Sequence, residues 1–537
     1  MALARPAGVV YTPREVSAPM VELALAPLVA GRSVDELLAL RVCDPAIGEG
    51  AFLIEIVRAL AELIGGGVDA RRLVAERCVF GVDVDARAVA RARAALASSC
   101  GGRVELGDHL RVADALAFDW RGAFGELDAV VGNPPYVRQE RLGATKHRLR
   151  AFASYDGVAD LYVYFVELAQ RIARPGGRWC LVVPSKWMTA AYGRKLRELL
   201  ARERCVDGVV DFGRTPPLFD GADAFPCIAW GTVGGGAGEI RAARVDEPTT
   251  VADALARAPI VRARWRAEPW HIDSPSDAAL IDRLARRWPA LAELAPAPAR
   301  GVITGCNRAF VIDAAARGRL VAAEPAAAAL IRPLVKGRDV RRWRAQPSDR
   351  FVLLVDHGRS LAELPAVRAH LARFRDALEP RPPHHRGAWP GRKPGAYRWY
   401  ELQDPVGAHA IARAPRLFYQ DIQTRAACCL ARADDVPDTT VWTLATDDRV
   451  VLAILNSSLY GWYARRRFPP ALNGAVRPKL AYVRALPIAT PPPDLRAHIT
   501  ALVDARLAGS GDDTAVDDAV LDAYELSRRE RAVVRNG

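Results

Sequence analysis

Through its first 235 residues the chain alternates short apolar runs with stretches in which apolar residues return every three or four positions. The runs "LRVCD" (40–44), "CVFGVDV" (78–84), "LDAVVGN" (127–133), "RWCLVVPS" (178–185) and "VDGVVDF" (206–212) have the length and composition of buried strands. Between them "AFLIEIVRALAELI" (51–64), "ARAVARARAALA" (86–97), "LYVYFVELAQRIA" (161–173) and "GRKLRELLARE" (193–203) carry helical spacing. Strands and helices taking turns predict an α/β fold, a doubly wound parallel sheet with helices on both faces. In such a sheet ligands bind at the carboxyl ends of the strands.

The pattern breaks at "GTVGGGAGEI" (231–240), whose glycines suit a flexible joint, so a domain boundary is expected there. Beyond it the regularity weakens. Strand-like runs such as "GVITG", "FVLLVD" and "VVLAIL" are separated by Pro- and Arg-rich loops, which predicts a mixed α/β domain over 240–490. The closing stretch 491–537, with "DAVLDAYELSRRERAVV", reads as a helical tail.

Charge separates the same two halves. Residues 1–235 hold 29 Lys+Arg against 28 Asp+Glu, and the remainder 46 against 34. The densest stretches are 301–400, with 19 basic against 8 acidic residues, and 451–500, with 7 against 1. A polyanion is the natural partner of the second half, and nucleic acid the expected one. The nine cysteines show no CxxC pair and the histidines are scattered, so neither a disulfide framework nor a metal site is expected. No long apolar run or signal-peptide layout is present, which gives a cytoplasmic protein as the expectation.

Candidate chemistry sits where the strands end. "LRVCDPAIGEGAFLIEIV" (40–57) is a strand, an acid, a Gly-x-Gly turn and a helix; the third position of a pyrophosphate-binding GxGxxG is Leu53, which disfavours that ligand. Asp44 suits a cationic group such as an amino acid's ammonium. Asp83, with Asp85, suits the hydroxyls of a ribose. Asp114 could accept from the amino group of an adenine ring. After the fourth strand comes "GNPPYV" (132–137). Its two prolines fix two φ angles and make a stiff turn. The Asn133 side-chain oxygen and the Pro134 carbonyl could there accept both hydrogens of one amino group, beside the flat face of Tyr136.

These pieces, in this order, resemble the adenine-N6 DNA methyltransferases of the γ class, the TaqI-like group. The resemblance runs through "YTPREV" (11–16), "DPAIGEGAFL" (44–53), "GVDVD" (81–85), "ADALAF" (113–118), "GNPPYV", "DLYVYFVELA" (160–169), "RPGGRWCLVVPSKW" (174–187) and "LFDGADAFPCIA" (218–229). It continues into that group's specificity domain with "GVITGCNRAFVID" (301–313), "LVKGRDVRRW" (334–343), "RWYELQDP" (398–405) and "ILNSSLYGWYARRRF" (454–468). One departure is in the glycine loop, usually DPACGSG, where Ile47 and Glu49 replace Cys and Ser.

The resemblance implies a Rossmann-like methyltransferase domain over 1–235 and a DNA-recognition domain over 240–490. It implies S-adenosyl-L-methionine as cofactor, contacted by Tyr11, Thr12, Asp44, Gly48, Gly50, Asp83, Asp114 and Phe165. Asn133, Pro134 and Tyr136 would be catalytic, and Asn133, Pro135, Tyr136 and Phe219 would hold an adenine flipped out of duplex DNA. Arg338, Arg341, Arg342, Arg465, Arg466 and Arg467 are the expected phosphate contacts, and Tyr397, Trp399 and "FPPALNGAVRPKL" (468–480) weaker candidates for the grooves. The role implied is modification within a restriction-modification or phage-defence system. Ten residues ahead of "YTPREV" leave no room for a nuclease, so a restriction endonuclease would be a separate chain. Other readings remain open: a non-catalytic DNA-specificity protein, or methylation of RNA or of protein glutamine, which also uses NPPY. The only Pro-Cys, Pro226-Cys227, falls in a strand-like run, against cytosine-C5 chemistry.

Overall fold

Five strands pair in parallel in the order β3 (Leu110–Val112), β2 (Val79–Asp83), β1 (Val42–Asp44), β4 (Leu127–Gly132) and β5 (Ala173–Pro184). The chain moves outward one way from β1 to β3, then returns to the other side of β1 for β4 and β5. That reversal opens a crevice at the carboxyl ends of β1 and β4. In this computed structural model the described residues are 12–213, 225–235, 240–245, 249–261, 267–406, 415–471 and 474–536.

Successive residues of the central strands go to opposite apolar clusters. Val42, Ala129, Val131, Cys180 and Val182 join helices Arg14–Val29, Ala51–Leu63 and Ala86–Ser99. Cys43, Val130, Leu181 and Val183 join helix Tyr162–Ile172. A period of two with both faces covered explains why these strands read as unbroken apolar runs and not as alternation.

The expectation of a purely parallel sheet needs amendment. β7 (Pro226–Thr232) runs antiparallel between β5 and β6 (Gly208–Asp211). The boundary expected at the glycine stretch also moves. Ile240–Arg244 pairs in parallel with β6, so the glycines join two strands of one sheet. The chain divides instead into Met1–Asp273 and Ser274–Gly537.

The second unit holds a five-stranded sheet containing Leu417–Gln420 and a four-stranded sheet containing Arg350–Leu353. The "VVLAIL" run is not a strand. It lies in helix Arg449–Asn456, capped by Asp448, whose Oδ1 accepts from the N–H groups of Val450 (2.8 Å) and Val451 (3.3 Å). Because its residues are buried on every side, the run carries no helical stripe to distinguish it from a strand. Nor is the tail a separate segment. Ile499, Val503, Val516 and Val520 share one core with Val451, Leu455 and Trp462. The single helix expected at its end is two, Asp513–Ala523 and Arg528–Asn536, broken where Glu525 takes φ 53°. Ser527 and Glu530 then start the second as a reciprocal cap. No helix among the described residues is long and apolar enough to cross a membrane.

Candidate active site

Asp44 closes β1 at 1% exposure and turns its Oδ1 to the Ala46 N–H at 2.9 Å. The neighbouring strand leaves it no slack: a Cβ on Gly132 would stand 2.6 Å from that oxygen. Burial, reinforced by the Asp83 charge and opposed by the Ala46 N–H, raises the Asp44 carboxyl to about 7. Gly48 (φ 55°) and Gly50 (φ 87°) then reverse the chain into helix Ala51–Leu63 in the left-handed conformation glycine tolerates. Asp83 at the end of β2 ties that turn down. Its Oδ2 accepts from the Gly48 N–H at 3.0 Å, and its Oδ1 from the Asp85 N–H at 2.9 Å. Each oxygen keeps a lone pair for a ligand. Asp114, just past β3, accepts from the Leu116 N–H at 3.2 Å and lies 3.7 Å from Arg148.

Beside these acids Asn133 follows β4. Its Nδ2 donates to the Thr12 hydroxyl at 3.1 Å, and its Oδ1, although buried, has no partner among the described residues. A buried acceptor without a donor costs about 1–3 kcal/mol, so a site that leaves one open is fitted to receive a donor.

Thr12, Asp44, Gly48, Asp83, Asp114, Asn133, Pro134, Pro135 and Phe165 all line one cavity of about 410 Å³. Nine positions scattered over 150 residues of sequence thus meet at the crevice that the topology dictates. Two expected residues do not line it. Gly50 serves as the helix cap, and Tyr136 is turned to the interior, its hydroxyl donating to the Val182 carbonyl at 3.4 Å and its ring edge-on to Tyr162 at 6.5 Å. Tyr11 and Phe219 lie outside the described residues. The cavity also contains residues the motifs did not single out, Val84, Leu116 and Arg91 among them. Val84 carried a signal: an apolar residue between two strand-end acids has no core to enter, and it is 78% exposed. Arg91 pairs with Glu49 at 3.5 Å, offsetting the charge that the unusual glycine loop introduces.

Cys227 lies in β7, and burial pushes its thiol well above the ordinary value, which leaves no thiolate for nucleophilic attack.

Residues 77–219, which include Asp83, Asp114 and the NPPY turn, match the model of the Eco57I restriction-modification methylase family. Over 98% of its length the chain is 29% identical to the type II methyltransferase M.PaeR7I of Pseudomonas aeruginosa, of which it covers 93%. It is 25% identical to the type II methyltransferase M.XhoI of Xanthomonas vasicola, covering 98% of each chain. The chain is a relative of the type II restriction-modification methyltransferases. Its fold is similar to that of the type IIL restriction-modification enzyme MmeI, solved in complex with DNA, with a TM-score of 0.66 at 15% identity over 97% of this chain and 76% of that one.

The six arginines expected on DNA fall into two kinds. Arg338, Arg341 and Arg342 are all exposed. Arg342 is pinned by Asp513 at 3.3 Å and by the Ala426 carbonyl at 3.1 Å. Arg466 is largely withdrawn into the fold, 3.0 Å from Asp277 and stacked over Trp462. Arg465 and Arg467 are half-buried on either side of it. Tyr397 is buried against His357 and Arg392, whereas Trp399 is half-buried and stacks under Arg375 at 4.3 Å. The loop 468–480 is described except for 472–473.

Proposed function

We propose that this chain is an S-adenosylmethionine-dependent DNA methyltransferase of the γ, TaqI-like class that methylates N6 of an adenine flipped out of duplex DNA. The observation that carries the reading is the open, buried Asn133 oxygen on the same cavity as three strand-end carboxylates. The cavity suits the cofactor in its donor set: Asp44 for the ammonium, Asp83 for the ribose hydroxyls, and Asp114 with Val84 and Phe165 for the adenine ring. When bound, the cofactor supplies a methyl group carried on a positively charged sulfur.

The amino nitrogen of adenine is a poor nucleophile because its lone pair is delocalised into the ring. Asn133 accepting one N–H, and the Pro134 carbonyl a second, would draw that nitrogen toward a tetrahedral form with its lone pair freed. The turn is stiff, so these acceptors lose little freedom when the base arrives. Leaving the stack costs the base about a few kcal/mol, which these contacts would offset in part. Recognition would rest with the second unit, where the excess positive charge lies, and a separately encoded endonuclease would cut unmodified sites. The reading is supported by relatives that match over nearly their whole length and are named methyltransferases alone.

DNA incubated with the protein and S-adenosylmethionine, then digested to nucleosides, should yield N6-methyladenine. Recovery of N4- or C5-methylcytosine alone would overturn the assignment.

A further inference from the structure

From Pro380 to Tyr400 the chain carries Arg381, Arg386, Arg392, Lys393 and Arg398 and neither Asp nor Glu. A mobile basic loop would supply only sequence-independent attraction to a polyanion, but this one is fixed at its base. Arg392, 3% exposed, donates to the carbonyls of Leu378 (2.7 Å), Thr304 (3.2 Å), Glu401 (2.7 Å), Arg398 (3.3 Å) and Trp399 (2.9 Å). The Trp389 indole closes the loop on the Glu379 carbonyl at 3.0 Å. Arg392 is thus a buried strut that gathers both ends of the loop.

Arg398 is held differently. Its backbone N–H donates to Glu401 Oε2 at 2.7 Å, which sets its Cα, and its Nη1 donates to the Tyr400 hydroxyl at 2.8 Å. The side chain nevertheless remains 57% exposed on an open cavity of about 380 Å³. The Glu401 carboxylate comes no nearer its Nε than 3.8 Å and is engaged by the N–H groups of Gly358 and of Arg398 itself. A guanidinium aimed by a phenol, and paired with a carboxylate only at the long limit of an ion pair, keeps N–H groups for a ligand. Phosphate contacts tolerate a mobile cation, whereas reading a base edge requires a fork of fixed direction on a rigid support.

We propose that Arg398 reads a guanine edge in the DNA groove, with Tyr400 as the residue that positions it. The inference rests on the DNA-methyltransferase reading above and adds to it which side chain specifies a base.

The methylated sequence is first obtained by modification-detecting sequencing of DNA from cells expressing the wild-type chain; finding no methylated motif would sink the functional reading itself. Purified full-length wild type, Arg398→Ala and Tyr400→Phe are then titrated with duplexes carrying each single base-pair change in that sequence. Wild type should discriminate against replacing one particular G·C pair by about 5- to 150-fold. Arg398→Ala should become indifferent at that pair and keep its discrimination elsewhere, and Tyr400→Phe should lose part of it at the same pair only. Weakening of all duplexes alike, or unchanged discrimination in Arg398→Ala, would overturn the assignment. Should Arg398→Ala fail to fold, intact discrimination in Tyr400→Phe would overturn it as well.

Discussion

Asn133 and Asp44 face one cavity with opposite needs, the first lacking a donor and the second lacking solvent for its charge. Asn133→Ala should lower methyl transfer by about 100-fold or more while cofactor affinity stays within a few-fold, since the amide faces the base. Single-turnover kinetics and cofactor titration separate the two, and equal losses in both would make Asn133 structural. Asp44 gives a pH signature. Its carboxyl is raised above the ordinary 3.8, so its contribution to the stability of the ligand-free fold is full below that value and lost as pH rises through about 7. A cationic ligand needs the ionised form. Affinity for S-adenosylmethionine should therefore be level above pH 7 and fall about tenfold per unit below it, and Asp44→Asn should bind weakly with no such dependence. Calorimetry across pH 5.5–8.5 tests this, and a wild-type affinity independent of pH would remove Asp44 from the site. The residue types at this site were legible because strand-end acids and NPPY have few structural uses in combination. The burial of Asp44 was not, since it comes from Gly132 on a strand nearly ninety residues away in sequence.

At the scale of elements, periodicity succeeded where one face of a helix meets a core and failed where none is exposed. The run 450–455 shows why: with all six residues buried, neither a period of two nor one of 3.6 survives, and the deciding signal is the cap, Asp448. That cap gives a prediction. Asp448→Ala leaves the Val450 and Val451 N–H groups without an acceptor and should cost about 1 kcal/mol of stability. Asp448 also meets Arg496 at 2.5 Å, an exposed pair that adds little. Denaturant unfolding of the full chain measures the loss, and Asp448→Ser should recover most of it. No recovery would mean the arginine contact matters more than the cap. The misplaced domain boundary has a similar cause. Glycines permit a flexible linker, yet they equally permit a connection within one sheet, and only the pairing of Ile240–Arg244 with β6 decides between the two.

Across the whole molecule, charge points to a unit and not to individual contacts. A count of arginines cannot distinguish one exposed to solvent from one spent inside the fold. Arg338 and Arg466 stand at these extremes. If Arg338 neutralises a phosphate, each such contact releases condensed counterions, and log affinity falls with log salt by about 0.9 per contact. Arg338→Ala should then lower the salt slope by about one, weaken all duplexes alike and leave the melting temperature unchanged. Arg466→Ala should behave otherwise. It strips the partner from Asp277, whose Oδ1 also accepts from the Trp462 indole at 3.0 Å, and leaves a nearly buried carboxylate without its cation. A wholly buried pair broken this way costs more, but both side chains keep some solvent, so the loss should be about 2 kcal/mol and Tm should drop by several degrees. Salt-dependent titration and thermal unfolding of both variants test the division. A reduced salt slope with unaltered Tm in Arg466→Ala would show that Arg466 leaves Asp277 for a phosphate when DNA binds, and the sorting of arginines by their internal partners would fail.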